Sequence, residues 1–257
     1  KEFEKKVINY FISEIKKGKT PNPCIICNEK VKFQKLLEIA KKLKAPYIAT
    51  GHYARVKFNK KEKIYQLLRG KDKKKDQSYY LCFLNQKILK HTIFPLGNLK
   101  KEEVKKLAEE FGIKDFFKKE SQDLCFVARK SLPYFIEKFI GKKPGKIINE
   151  KGEVLGEHKG LHFYTLGQRK KLKIPGGPFY VIGFDRKRNL LIVSKNKKDL
   201  YKKEIFVSPF HFISKKPPRK KIEILCKTRY KQLLKRAILF PPKKGKIKIV
   251  FKSSIPA

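Results

Sequence analysis

The chain has 257 residues, 40% of them hydrophobic, and 66 Lys+Arg against 23 Asp+Glu give it a formal charge of +43. That length and apolar content suit two or three folded domains and exclude a disordered chain. No apolar run reaches the ~18 residues a membrane helix needs, no secretion signal opens the chain, and five irregularly spaced Cys argue for reduced thiols in the cytoplasm over a disulfide framework.

The basic residues lie along nearly the whole chain, and such a field attracts polyanions, nucleic acid first. A compositional Lys excess on a solvated surface is the alternative. The sequence lacks Met and begins at Lys1 inside a helical pattern, so a missing natural N-terminus is expected.

Phe3, Val7, Phe11 and Ile15 recur four apart over residues 2–17 and predict a helix that Gly18 ends. Thr20-Pro21-Asn22-Pro23-Cys24-Ile25-Ile26-Cys27-Asn28 follows as a Pro-braced loop carrying two thiols. It runs into a helix over Val31 to Leu43 with Phe33, Leu36, Leu37, Ala40 and Leu43 on one face. Thiols at a helix start are placed where backbone N–H groups lower a thiol pKa. Pro46 to Thr50 is a short buried strand, and Gly51-His52-Tyr53-Ala54-Arg55 sits at its carboxyl end, where open α/β sheets bind ligands. His52 is therefore either a ligand contact or a structural histidine.

Ile64 to Gly70 reads as a strand, and Asp76 as the N-cap of a helix over Tyr79 to Leu89. Lys75-Asp76-Gln77 is either a phosphate- or base-contacting loop or a capped helix start. A helix over Lys101 to Phe111 turns Val104, Leu107, Ala108 and Phe111 inward and stops at Gly112, and Ser121-Gln122-Asp123-Leu124-Cys125-Phe126 closes an α/β unit with a mostly parallel sheet. After a helix over Ser131 to Ile140, short β-like runs begin: 152–156, 179–184 and 190–193, the last two flanking a hairpin turn at Asp185 to Asn189. Strands at 221–228, 235–240 and 246–251 predict a small antiparallel barrel or sandwich, which stops at Ala257 without a closing strand, so a truncated C-terminus is expected.

Three chemistries are open to the cysteines. Two can act as redox partners, one thiolate carrying or attacking sulfur and the other resolving the bond. Cys24, Cys27 and Cys125 can instead ligate metal, three thiolates suiting a [4Fe–4S] cluster with one open iron, whereas zinc needs a fourth ligand such as His52 or Cys226. Or all five are structural, as Cys82 in an apolar helix and Cys226 in a strand pattern are read to be. Neither GxxxxGK[ST] nor GxGxxG occurs.

The motifs as a set resemble the bacterial tRNA-specific 2-thiouridylases. They are Thr20 to Pro23 with Cys27-Asn28, Lys32-Phe33, Ala49 to Arg55, Leu68 to Gly70, Lys75 to Tyr79, Phe94 to Gly97, Cys125-Phe126, Pro144-Gly145, Gly156 to His158 with Gly160, Tyr164 to Lys170, and Arg229-Tyr230. The resemblance implies an α/β ATP pyrophosphatase-type (adenine nucleotide alpha hydrolase-like) domain with a parallel sheet over 1–128, a central tRNA-binding domain over 129–200 and an incomplete C-terminal antiparallel β-barrel over 201–257. It implies an enzyme that uses ATP and Mg2+ to adenylate the wobble-uridine 2-oxygen and replaces that oxygen with sulfur. The implied partners are a tRNA anticodon arm and a sulfur donor, a cysteine desulfurase or a relay carrier.

By position, Cys27 matches the nucleophile, Cys125 the persulfide-bearing residue and Gly51 an ATP contact. Asn22, Pro23 and Cys24 match the stretch that meets the target base, and His52, Lys75, Asp76, Gln77, Arg229 and Tyr230 match tRNA contacts. Two departures stand out. The family's Ser-Gly-Gly-x-Asp-Ser phosphate loop is absent, so these residues alone are expected not to adenylate tRNA. Cys24 stands where many members carry Asp, which keeps the [4Fe–4S] alternative open, and a catalytically inactive tRNA-binding module is the other alternative.

Overall fold

The computed structural model describes residues 1–113, 124–127 and 131–256. It divides into one unit of Lys1–Tyr10, Asn22–Phe126 and His211–Pro217, and a second of Phe11–Pro21, Val127–Phe210 and Pro218–Ala257.

The first helix opens with a π-turn at Glu4–Ile8 and continues as α1 (Asn9–Lys16). Val7, Phe11 and Ile15 are buried at the expected four-residue spacing, and Gly18 in left-handed conformation ends it. The second helix runs from Pro23 to Lys42 without a break, as α2 (Pro23–Cys27), a π-turn at Asn28–Phe33 and α3 (Gln34–Lys42). Its start is written locally. The Asn22 side chain accepts the Cys24 N–H at 3.2 Å, and Pro23 occupies the first turn, where no N–H is needed. The two cysteines thus lie on the helix itself, and the expected Pro-braced loop ends at Asn22. Leu43, expected inward, is 73% exposed because the helix ends at Lys42 and Lys44 turns left-handed behind it.

β1 (Ile48–Ala49) pairs in parallel with β4 (Thr92–Ile93), which is the parallel pairing of an α/β unit. Beside this pair, β2 (Ala54–Asn59) and β3 (Ile64–Arg69) form an antiparallel hairpin, a departure from the mostly parallel expectation. The helix expected over Tyr79 to Leu89 divides into a 3-10 turn at Ser78–Leu81 and α4 (Gln86–Lys90). Asn85 causes the break: its side chain accepts the Ile88 N–H at 3.0 Å and starts a new helix. The apolar residues Leu81, Leu84, Ile88 and Leu89 remain buried in the core with Phe33 and Phe94.

Gln86 braces this core. Its Oε1 accepts the Tyr65 N–H at 2.7 Å, while its Nε2 donates to Tyr65 O and Ile213 O, both at 2.8 Å. The amide so completes the hydrogen bonding of β3. In α5 (Lys101–Glu110), Val104 and Ala108 are buried, but Phe111, expected inward, is 76% exposed at the helix end. Ser121, Gln122 and Asp123 lie outside the described residues.

In the second unit, α6 (Leu132–Ile140) precedes a four-stranded sheet in the order β6-β5-β8-β7. Its strands are β5 (Gly145–Asn149), β6 (Val154–His158), β7 (Tyr180–Asp185) and β8 (Leu190–Ser194), with β7 and β8 joined as the expected hairpin. β5 pairs in parallel with β8, and Ile147, Val181, Leu191 and Val193 close the core beneath. The C-terminal strands β9 (Tyr201–Val207), β10 (Ile222–Cys226), β11 (Lys235–Leu239) and β12 (Ile247–Pro256) form a sheet in the order β10-β11-β12-β9. Among the described residues it is an open antiparallel sheet, where the sequence suggested a barrel or sandwich. β9, hidden by Lys202, Lys203 and Glu204, was not anticipated.

Candidate functional site

The cap at Asn22 orients the first turns of the second helix, leaving Cys24 exposed and Cys27 buried. Cys125 lies exposed in the short segment 124–127. The three are electrostatically linked. A Cys125 thiolate disfavours the thiolates of both Cys24 and Cys27, so Cys125 lies within electrostatic range of a cysteine pair about a hundred residues earlier in the chain.

The thiol pKa values run opposite to the expectation from a helix start. Desolvation by the surrounding protein raises both thiols, Cys24 included although its side chain still reaches solvent, and the Lys32 ammonium partly offsets it. Desolvation of the thiolate is the largest influence on both. Lys32, which spacing alone does not mark as a site residue, acts through its charge on Cys24, Cys27 and His52 alike. Burial drives the half-buried Cys82 thiol to about 11 and also raises Cys226, so neither offers a ready thiolate; Cys82 follows the 3-10 turn and lies outside any helix.

His52 lies just past β1, as expected. Its Nδ1 is 2.9 Å from Thr50 Oγ1, and its ring lies 5.8 Å from Phe33 and 6.1 Å from Phe94. Burial, helped by Lys32, lowers its pKa to about 4, so the imidazole is neutral at physiological pH. Gly51 beside it is exposed, and a side chain there would meet only Leu96 Cδ1 at 3.7 Å. The protein's own packing thus leaves open space at this glycine.

Lys75, Asp76 and Gln77 are differently placed. The Asp76 carboxylate is buried and accepts from Arg69 Nε at 3.2 Å, Gly70 N at 3.1 Å, Ser78 N at 3.2 Å and Ser78 Oγ at 3.1 Å. Gln77 clasps Tyr53 from both sides, Oε1 accepting its N–H at 3.0 Å and the Gln77 N–H donating to its carbonyl at 2.9 Å. Asp76 therefore ties the two ends of the 70–78 loop together, and Gln77 fastens that loop to the turn that carries Gly51 and His52. Asp76 does accept the Ser78 N–H, but the cap position of the turn at Ser78–Leu81 is Gln77, whose side chain makes no cap bond, so the expected Asp76 N-cap is displaced by one residue.

Arg229 and Tyr230 belong to the second unit. Gln232 Oε1 accepts the Arg229 N–H at 3.1 Å, Arg229 donates to Leu166 O at 3.0 Å, and Lys227 Nζ lies 5.2 Å from the Tyr230 ring. Among the described residues, no group of three or more His, Cys, Asp or Glu side chains is placed to hold a metal ion. No helix among them is long and apolar enough to cross a membrane.

Two family models match: the tRNA methyl transferase HUP domain over residues 1–129 and the tRNA methyl transferase PRC-barrel domain over residues 133–195. The chain is 42% identical over 252 residues to tRNA-specific 2-thiouridylase MnmA 2 of Thermoanaerobacter sp. (strain X514), covering 97% of this chain and 69% of that protein. It is 41% identical over 254 residues to the MnmA of Halothermothrix orenii, covering 98% and 70%. The MnmA of Idiomarina loihiensis is 40% identical over 265 residues, covering 100% and 71%. With its HUP and PRC-barrel domains and these relatives along nearly its whole length, the chain belongs to the tRNA-specific 2-thiouridylase family.

Proposed function

We propose that the chain carries the sulfur-transfer site and tRNA-gripping surfaces of an enzyme that converts the wobble uridine of a tRNA anticodon arm to 2-thiouridine in the cytoplasm. Residues 1–128 form the catalytic part, 129–200 the central part and 201–257 the C-terminal part. The observation that carries the reading is a pair of cysteines, Cys24 and Cys27, on the first turns of one helix with the exposed Cys125 within electrostatic range of both.

The uridine 2-oxygen is a poor leaving group. ATP, taken with Mg2+, esterifies it to AMP with release of pyrophosphate, and the open space at Gly51 suits the close approach of that nucleotide. Cys125 carries the persulfide delivered by a sulfur donor. Its terminal sulfur attacks C2, the C2–O bond breaks and AMP leaves. The Cys27 thiolate then attacks Cys125 Sγ, the base departs as 2-thiouridine, and a Cys27–Cys125 disulfide forms, which an external dithiol reduces. The base must leave the anticodon stack to reach these thiols. Asn22, Pro23 and Cys24 line the helix start that meets it, and neutral His52 offers a hydrogen bond without charge.

The test is to incubate the anaerobically purified chain with a cysteine desulfurase and radiolabelled cysteine, then map the label by cysteine. A reductant-labile sulfur on Cys125, and a Cys27–Cys125 disulfide on oxidation, are expected from an iron-free protein. About four irons and four sulfides per chain, lost in Cys24→Ala, would replace this reading by the cluster mechanism. RNA binding with no sulfur uptake on any cysteine would leave an inactive tRNA-binding module.

A further inference from the structure

The second unit has a cavity of about 420 Å³ that the sulfur chemistry does not use. This volume lies within the range of small-ligand sites, about 300–1,000 Å³. Its wall is a single loop: Arg169, Lys171 and Lys173 supply cations, and Leu172, Ile174, Pro178 and Phe179 supply the apolar side. Outside the lining, Lys195 places a further cation 5.4 Å from the Phe179 ring centroid. No acidic residue lines the cavity.

The loop backbone shows what the cations cost. Lys171 and Lys173 both hold left-handed conformations, with φ of 67° and 56°, on either side of the buried Leu172. Glycine adopts that conformation without strain and lysine does not. Both ends of the loop are held. Gly167 N–H donates to Val181 O at 2.8 Å, Val181 N–H donates to Gln168 O at 3.0 Å, and Leu166 O takes the Arg229 guanidinium. The turn at Arg229 and Tyr230 is thereby joined to the segment leading into the cavity.

We infer that the loop from Arg169 to Phe179 is a seat for one phosphate group of the tRNA backbone, away from the target base, with the neighbouring ribose against Leu172, Ile174 and Phe179. Cations without a carboxylate call for an anion. Exposed lysine and arginine ends on an apolar floor suit a ribose–phosphate unit, whereas sites for free phosphate are commonly built from converging backbone N–H groups. The inference rests on the reading of the chain as a tRNA-acting enzyme.

The test uses Lys171→Gly/Lys173→Gly, which removes two charges at positions glycine prefers, so loss of folding does not stand in for loss of binding. The matched control is Lys44→Gly/Lys63→Gly, also left-handed lysines but outside the cavity. Binding of an anticodon stem-loop RNA is measured across salt concentrations, together with thermal unfolding and sulfur loading of Cys125. The cavity variant should unfold no lower than the parent and bind RNA about tenfold more weakly. Its log K against log salt slope should be shallower by about 1, as removal of the cations facing a single phosphate requires. Sulfur loading should be unchanged.

An equal loss in the control variant would reduce the cavity to a piece of diffuse basic surface and overturn the inference. Saturable binding of inorganic phosphate, abolished in the cavity variant while RNA affinity holds, would make it a free-anion site and overturn it as well. Failure of the parent chain to bind RNA at all would instead strike the proposed function, and sulfur loading reports on that reading separately.

Discussion

The His52 ring packs 5.8 Å from the Phe33 ring at a tilt of 34°, so a residue at the mouth of the site is anchored to one that is fully buried. This packing desolvates the imidazole and holds its pKa at about 4, against 6.5 for the free side chain. The unfolded chain therefore binds a proton between about pH 6.5 and about pH 4 that the folded chain refuses, and stability falls as pH drops through that window. The shift corresponds to on the order of 3 kcal/mol. Urea unfolding across that range should show a steeper pH dependence for the parent than for His52→Gln; parallel curves would refute the assignment.

Asp76→Ala should destabilise the chain by about 3 kcal/mol, because Arg69, Gly70 and Ser78 lose a buried common acceptor. Asp76 carries no donor for a phosphate, and its effect on RNA binding should come through the loop it fastens. Under conditions where the variant is folded, the salt slope of RNA binding should match the parent. A changed slope would mean that Asp76 screens a direct phosphate contact.

Asn22→Ala removes the cap of the cysteine helix and should cost about 1 kcal/mol, with Asn22→Asp recovering most of it. Hydrogen exchange at Cys24 N–H is the local readout, since that amide donates to Asn22. It should quicken in the alanine variant and stay slow in the aspartate variant.

Gly97→Ala should fold poorly, because a Cβ at this position runs into Ala54 O, a backbone atom at the start of β2. A loss of about 3 kcal/mol or more is expected, since backbone cannot yield as a side chain does. By contrast, Gly51→Ala meets only ordinary contact and should leave the melting temperature unchanged while weakening nucleotide binding. Equal stability losses at the two glycines would contradict the open space at Gly51.

Alkylation followed residue by residue should leave Cys82 unmodified near pH 8, about three units below its pKa of about 11. The exposed Cys125 should react there. Lys32→Gln should slow Cys27 further, because it removes the cation that offsets burial, and Lys32→Arg should restore the rate.

What the sequence determined by itself is local. The stripe through Val7, Phe11 and Ile15, the hairpin around Asp185 to Asn189 and the position of His52 after a strand depend on residues within a turn or two of each other, whereas the helix that carries the cysteines is expected only from Val31 and starts at Pro23. The family motifs likewise name Cys27 and Cys125 in order along the chain. Tertiary structure decided what depends on distant partners. Asp76 and Gln77, polar residues in a loop, are turned inward by Arg69 and Tyr53, and Gln86 completes a strand it is not part of. β9 looks like a charged linker until β12 pairs with it. The thiols at the helix start have raised pKa values because burial disfavours their thiolates, and burial is not readable from their spacing along the chain.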